Sequence, residues 1–555
     1  MSEKPSLLIS LAGGCAVALL LLLWLLVRDG EPRHRSPATA ATPEGTAGSS
    51  SAPRVASPAS RIRAEGLPAL PNRPVLQNLR QTLDRPDARS HEAVLIFADS
   101  EAYRRFLARA RQLGLTVIGQ MDGLLAVRVR YDSLAGLQAD VLANSADYAE
   151  VGANFYVSVP QTPAKEDRPD LRFIPLGNNL FSFLGAPADP SQWGRGVTIA
   201  VLDSGVAPDR TFGTGRVQYL DIGLGTAAGT GTEDGHGTAV AALAAGAAAD
   251  APGVAPAANI LSVRVTDANA QSDVFTLSQA IVAAIDAGVQ IINISLGGYD
   301  PSSVLGNAID LASRRGVVIV ASAGNDQAAQ LTWPAADPRV VSVGAVDALG
   351  QQVTFSNSGA QLQLTAPGYG VQTAWLDGQR VYFDGTSASA PIVAGAIAAV
   401  MSTSPGMTAT QAWQVLTQYA SDGGTPGPDP EYGNGILNLG WAMNRNDATR
   451  IDTAISSHYY DAATDQMEFV IQNRGGQAVA GMTLNVDTGS GSTAYSIPTV
   501  APRGTYVVKM PVDQALLAAA GEIVFRTQLN NPDGIVDQVP ANNRRTSSLS
   551  APARP

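Results

Sequence analysis

Three short segments each join a run of small or apolar residues to a glycine turn and set one chemically distinct side chain at the junction. They are Val201-Leu202-Asp203-Ser204-Gly205, His236-Gly237-Thr238 and Gly385-Thr386-Ser387-Ala388-Ser389-Ala390-Pro391. The run Val197-Thr198-Ile199-Ala200-Val201-Leu202 reads as a strand buried in a parallel sheet, which puts Asp203 at its carboxyl end, where reactive groups of open α/β sheets collect. The alanine-rich stretch Ala239 to Ala249 after His236 reads as a helix whose small side chains allow close burial. Ser387 stands where a loop passes into a second small-residue helix. Pro391 is expected in the first turn of that helix, where its missing N–H and fixed φ do no harm, so that Ser387 lies at the positive end of the helix dipole. The predicted core is α/β, built on a doubly wound, mostly parallel sheet.

An Asp, a His and a Ser are the parts that make a hydroxyl nucleophilic at neutral pH. The imidazole takes the serine proton, and a buried carboxylate fixes the imidazole tautomer. Taken singly the signals are weak, since an Asp closing a strand also suits metal and nucleotide sites, and an isolated His is more often structural. Of the four histidines, however, only His236 lies between the Asp and Ser motifs in a Gly-flanked turn.

The chain order Asp, His, Ser is that of the subtilisin type. From about Pro190 to Met443 the sequence resembles the subtilase family of serine peptidases, matching its His-Gly-Thr motif at every position. The resemblance implies a subtilisin-like fold and a catalytic triad of Asp203, His236 and Ser387. Ala321-Ser322-Ala323-Gly324-Asn325, after a strand expected at Gly316 to Val320, matches the segment that supplies the oxyanion-hole amide, which gives that role to Asn325 together with the Ser387 backbone N–H. The run Ile291 to Gly298 is similar to the segment whose edge pairs with an extended substrate. Ser295, Leu296, Gly297 and Gly298 are therefore the implied substrate-binding residues, with the glycines leaving room for the P1 side chain. Trp333-Pro334-Ala335 and Gly253-Val254-Ala255-Pro256 are further family-like segments of structural type.

Two positions depart from the commonest subtilase form: Ala388 and Ala390 stand where Met and Ser are usual. The Ser-Ala-Ser-Ala-Pro wording also resembles the acid-active sedolisins, which carry Glu in place of the His; His236 in its full motif opposes that reading. The whole chain then reads as an active serine endopeptidase, the alternative being a catalytically silent subtilase kept as a binding or scaffold protein. All four polar residues of the reaction are present, which favours the enzyme.

The flanking sequence divides further. Leu7 to Val27 is an uncharged apolar run of about 20 residues, long enough to cross a bilayer, and it ends in Leu25-Leu26-Val27-Arg28-Asp29 without a small-residue cleavage site. Residues 1–28 are read as a transmembrane or signal anchor rather than a cleaved signal peptide. Cys15, the single cysteine, lacks a lipoprotein context and precludes any disulfide within the chain. Arg28, Arg33 and Arg35 argue for a cytoplasmic flank, yet long C-terminal domains translocate largely regardless of such charges. The expected placement is a single-pass bacterial membrane protein with its catalytic domain outside the cytoplasm. Residues 29–70, rich in Pro, Ala, Ser and Thr, read as a disordered tether.

Residues 71–160 carry a β-α-β-β-α-β pattern: strand Ala93 to Ala98, helix Ser100 to Leu113 stopped by Gly114, a hairpin of Leu115 to Gln120 with Leu124 to Tyr131, helix Ser133 to Ala143 and a strand near Val151 to Val159. This ferredoxin-like α+β unit, directly before a subtilase-like domain (161–446), resembles the family's inhibitory prodomain. The resemblance implies that Phe155 to Pro160 lies in the cleft and that self-cleavage falls within Gln161 to Asp170. Residues 449–548 alternate in short runs split by Gly, Asn and Pro turns, which predicts an all-β sandwich; Asn473-Arg474-Gly475-Gly476 gives it a loose resemblance to CARDB-type domains. Residues 549–555 form a tail.

A net charge of −11 gives no reason to expect a nucleic-acid partner. The expected partners are a polypeptide substrate, the chain's own prodomain and a membrane. No cofactor is expected; Asp267, Asp273 and Asp300 fall in loops where relatives sometimes bind calcium, with solvated surface acids the preferred reading.

Overall fold

The computed structural model describes residues 74–161, 173–186, 189–225 and 235–551. The apolar run Leu7 to Val27, the Pro-rich tether and the last residues of the tail lie outside them.

After a helix at Pro74–Leu83 (α1), strands Glu92–Phe97 (β1), Leu115–Met121 (β2), Ala126–Tyr131 (β3) and Tyr148–Gly152 (β4) form an antiparallel sheet in the order β2-β3-β1-β4. Helices Ser100–Arg109 (α2) and Leu134–Ala143 (α3) complete the β-α-β-β-α-β order. Local sequence sets these boundaries. The Asp99 carboxylate accepts from the Glu101 and Ala102 N–H groups and starts α2, while Gly114, at φ 71°, ends the 3₁₀ turn that follows it. Strand β1 is buried on both faces. Ala93, Leu95 and Phe97 pack in the unit's own core, while Val94 and Ile96 join an apolar cluster with Val274, Phe275 and Leu277 of the next domain.

That domain is built on seven strands, all paired in parallel: Thr198–Asp203 (β6), Val217–Leu220 (β7), Asn259–Arg264 (β8), Ile291–Ile294 (β10), Val318–Ser322 (β11), Val341–Val346 (β12) and Leu364–Pro367 (β13), in the order β13-β12-β11-β10-β6-β8-β7. A short antiparallel pair, Tyr156–Ser158 (β5) with Gln271–Asp273 (β9), lies apart from this sheet. Alternate strand residues feed two cores. Ile199, Val201, Ile291 and Val320 meet helices His236–Ala245 (α4) and Thr386–Thr403 (α7); Ala200, Leu202, Ile292 and Ile319 meet Val274–Asp286 (α5) and Ser303–Arg314 (α6). This is the doubly wound α/β arrangement, here wholly parallel. Helix α7 has the length and apolarity of a membrane span, but 83% of it is buried as the central helix of this domain.

Beyond Thr453 two antiparallel sheets pack together: Thr453–Asp461 (β16), Gln466–Asn473 (β17) and Thr505–Pro511 (β20) against Ser492–Ile497 (β19), Met482–Asp487 (β18), Glu522–Asn530 (β21) and Arg544–Ser550 (β22). Phe469, Ile471, Leu484, Val486 and Phe525 form their shared core.

Several expectations need correction. The strand expected near Val151 to Val159 is two strands with different partners: β4 pairs with β1, whereas β5 pairs with β9. The break falls at Asn154, whose buried amide donates to Glu92 Oε2 and accepts from the Phe275 N–H, turning the chain away from the sheet. Pro391 is the sixth residue of α7, beyond its first turn. Helix α4 ends at Ala245, and Ala247–Ala248 pairs with Ala251–Pro252 instead. Asp267, Asp273 and Asp300 are not free surface acids. Asp273 caps α5 and pairs with Arg89 and Arg128, Asp267 faces Arg89, and Asp300 pairs with Arg85. All three thus face arginines of the N-terminal unit.

Candidate active site

The site forms at the carboxyl ends of three adjacent strands, β6, β10 and β11. Asp203 is the last residue of β6 and is fully buried, as is Ser295, the first residue past β10. Asn325 follows β11 by three residues. The sheet thus gathers residues far apart in sequence on one edge, which is the position expected for Asp203.

His236 is the first residue of α4, and its Nδ1 lies 2.7 Å from Asp203 Oδ1. Close backbone approach makes this contact. A Cβ on Gly237 would collide with the Gly205 carbonyl and lie 3.1 Å from Asp203 Cβ, so the glycine of His-Gly-Thr lets the helix start sit against the Asp turn. Ser204 Oγ accepts from the Gly237 N–H and Thr238 Oγ1 from the Ala207 N–H, which fixes the two motifs to each other. The Phe383 ring packs edge-on against the imidazole at 5.2 Å, and a Cβ on Gly235 would collide with the Trp375 indole. The fixed carboxylate holds Nδ1, leaving Nε2 as the nitrogen able to exchange a proton.

Ser387 is the second residue of α7 and is buried. Its Oγ and His236 Nε2 are both buried without a hydrogen-bond partner among the described residues. Pro391 bears on this site more than the sequence suggests. As a proline within the helix it cannot donate to the carbonyl four residues back, that of Ser387, and the Ser295 hydroxyl donates to this carbonyl instead at 3.3 Å. One predicted substrate-binding residue therefore braces the backbone of the predicted nucleophile.

Asn325 is held on the other side. Its Oδ1 accepts from the Thr386 N–H and from Thr386 Oγ1, both at 2.9 Å, and the Gly324 N–H donates to Thr386 Oγ1. With Oδ1 so occupied the amide orientation is fixed, and Nδ2 donates to the Pro160 carbonyl at 3.1 Å. The chain leading to Pro160 lies in the cleft as a strand. Ser158 exchanges both backbone hydrogen bonds with Gly297, while β9 pairs with its other edge. Gly298 makes that approach feasible, because a Cβ there would stand 2.6 Å from the Tyr156 carbonyl oxygen. Ser295, Gly297 and Gly298 thus touch the nucleophile's helix or the bound strand, and Leu296 is buried between them.

Residues 194–435 match the family model described as "Subtilase family". The chain is 35% identical over 260 residues to a thermostable alkaline protease of Halalkalibacterium halodurans, covering 45% of this chain and 68% of that protein. It is 34% identical over 249 residues to Subtilisin Savinase of Lederbergia lenta, covering 44% of this chain and 90% of the relative. The chain belongs to the subtilase family. As a subtilase it is a subtilisin-like serine endopeptidase. Among solved structures, fervidolysin from Fervidobacterium pennivorans superimposes with a TM-score of 0.56 at 20% identity, covering 84% of this chain and 77% of that one, which establishes a shared fold.

Sequence reasoning passed over Thr386, Ser204 and the Trp375–Phe383 pair. The first two stand inside the quoted motifs, next to Ser387 and Asp203, and their polar side chains were the available signal. The aromatic pair carries none, because its place beside this subtilase's His236 comes from a hairpin of Val371–Ala374 (β14) with Arg380–Phe383 (β15).

Proposed function

We propose that Asp203, His236 and Ser387 act as the catalytic triad, with Asn325 Nδ2 and the Ser387 N–H as oxyanion donors, and that the chain is made as a membrane-anchored zymogen whose N-terminal α+β unit is its own inhibitor. The observation that carries this reading is the hydrogen bond from Asn325 Nδ2 to the Pro160 carbonyl, at the end of a strand paired with Gly297. A carbonyl held by the proposed oxyanion donor is the one offered for attack, which supports Pro160–Gln161 as the bond presented.

In the reaction Ser387 Oγ attacks the carbonyl carbon and its proton passes to His236 Nε2, while Asp203 stabilises the imidazolium through Nδ1. The tetrahedral oxyanion is met by the two donors, His236 returns the proton to the leaving amine, and water repeats the sequence on the acyl-enzyme. Ser387→Ala would abolish hydrolysis of casein and labelling by a fluorophosphonate; wild-type turnover surviving in that variant would remove Ser387 from the mechanism.

The anchor reading rests on Leu7 to Val27, and the placement of the catalytic domain outside a bacterial cytoplasm rests on the length of chain that follows it. Proteinase K added to spheroplasts would digest the folded part, and complete protection would reverse the orientation. The role proposed for the CARDB-like sandwich is that of an accessory domain docked on the peptidase.

A further inference from the structure

The segment in the cleft also states what the cleft accepts. Along Tyr156 to Pro160 burial alternates. Val157 and Val159 are 2% and 4% exposed and join the apolar cluster that holds Leu277 and Leu296, while Ser158 points to solvent. Val157 lies between Ser272, its partner across β9, and Gly298, where a Cβ would approach Val157 Cγ1 to 3.4 Å.

The Pro160 carbonyl is held by Asn325 Nδ2, and Ser158, two residues before it, is paired with Gly297. Thr332 lies against both Gly297 and Gly324, the residue before Asn325. Thr332 is 4% exposed; its Oγ1 donates to the Ala323 carbonyl at 3.3 Å and to that of Ser322 at 3.4 Å, and its side chain would collide with a Cβ built on Gly297. A Cβ on Gly324 would stand 3.0 Å from Thr332 Cγ2. Thr332 itself is fixed by its N–H bond to the Ala323 carbonyl, and Trp333 beside it exchanges bonds with Gly298, so it cannot withdraw without breaking that ladder.

Resting on the proposed placement of Pro160 at the scissile bond, we infer that this protease selects extended segments with branched aliphatic side chains at the second and fourth residues counted back from the cut and a compact residue directly before the cut, with Thr332 as the residue that excludes large ones. In the numbering of the bound segment the cut-site residue is Pro160 and the branched residues are Val159 and Val157. Proline meets the size limit but has no N–H to offer the cleft wall, so alanine is the compact residue expected to be cut fastest.

The test uses the full-length protein after self-processing has freed the cleft of the segment ending at Pro160, with internally quenched peptides containing Val-Ser-Val-Ala-Gln, Val-Ser-Val-Phe-Gln or Asp-Ser-Asp-Ala-Gln, and casein as a general substrate. The expected kcat/KM for the Ala peptide exceeds that for the Phe and Asp peptides by at least ~10-fold, since one misfitted apolar group already changes selectivity by about 10–200-fold. Thr332→Gly is expected to bring the Phe peptide level with the Ala peptide or above it. Wild type that cuts the Phe peptide as well as the Ala peptide overturns the inference without any variant. Casein hydrolysis with no order among the peptides also overturns it while leaving the proposed triad intact. Failure to cleave casein as well would overturn the triad reading beneath it.

Discussion

At the residue scale the site is held by side chains that saturate one another. Asn325 spends its oxygen on Thr386 and keeps its amide for the carbonyl in the cleft. Asn325→Ala is expected to lower kcat by about 10²–10³-fold, the cost of losing the corresponding donor in subtilisin itself, with KM little changed. Steady-state kinetics on one peptide check this; an equal change in KM would mean that the amide holds the ground state. The sequence made Asp203, His236, Ser387 and Asn325 legible because each stands in a contiguous motif. Thr332 was not legible, since its importance comes from facing Gly297 and Gly324, which only the fold brings to it.

Elements show where local pattern suffices. Strands buried on both faces and glycine-stopped helices were readable from periodicity, and so was the order of the N-terminal unit. Two features were not. Val151 to Val159 is strand-like at both ends but carries the strand-poor Gly152-Ala153-Asn154 between them, and what turns the chain there is the pair of tertiary bonds made by Asn154. Pro391 violates a helix rule that the Ser295 hydroxyl repairs from another strand end. Ser295→Ala is therefore expected to leave the Ser387 carbonyl buried and unsatisfied, costing about 1–3 kcal/mol. Thermal unfolding of this variant in a Ser387→Ala background would check it, and an unchanged midpoint would show that the contact contributes nothing.

For the whole molecule, charge joins the N-terminal unit to the peptidase. Asp273, 1% exposed, faces Arg89 and Arg128, so Arg89→Ala with Arg128→Ala would strand a buried carboxylate at a cost of about 3–5 kcal/mol. In Ser387→Ala chains this should appear as early unfolding or release of the N-terminal unit. At the other end Arg474, in the motif that suggested a CARDB-like domain, donates to Ser456 Oγ and Gln472 Oε1 and packs 5.9 Å over Trp441 of the peptidase. Nearby, burial pushes the Asp422 carboxyl up to about 6, with Asp429 adding to the rise and the Gly427 N–H and Arg474 opposing it. A folded pKa above the unfolded one means that the native state holds the proton more tightly. That stability is present below about pH 4 and is lost as pH rises through 6. Asp422→Asn is thus expected to raise the midpoint above pH 6.5 and to match wild type at pH 4; a gain equal at both values would exclude titration as its cause.

The central claim is that a serine peptidase holds its own Pro160–Gln161 bond in its active site. Intact mass spectrometry of the chain beginning after the anchor, wild type beside Ser387→Ala, tests it most directly. The account predicts a wild type cut after Pro160 and a mutant of full length. Full-length wild type, or a mutant cut at the same bond, would contradict it.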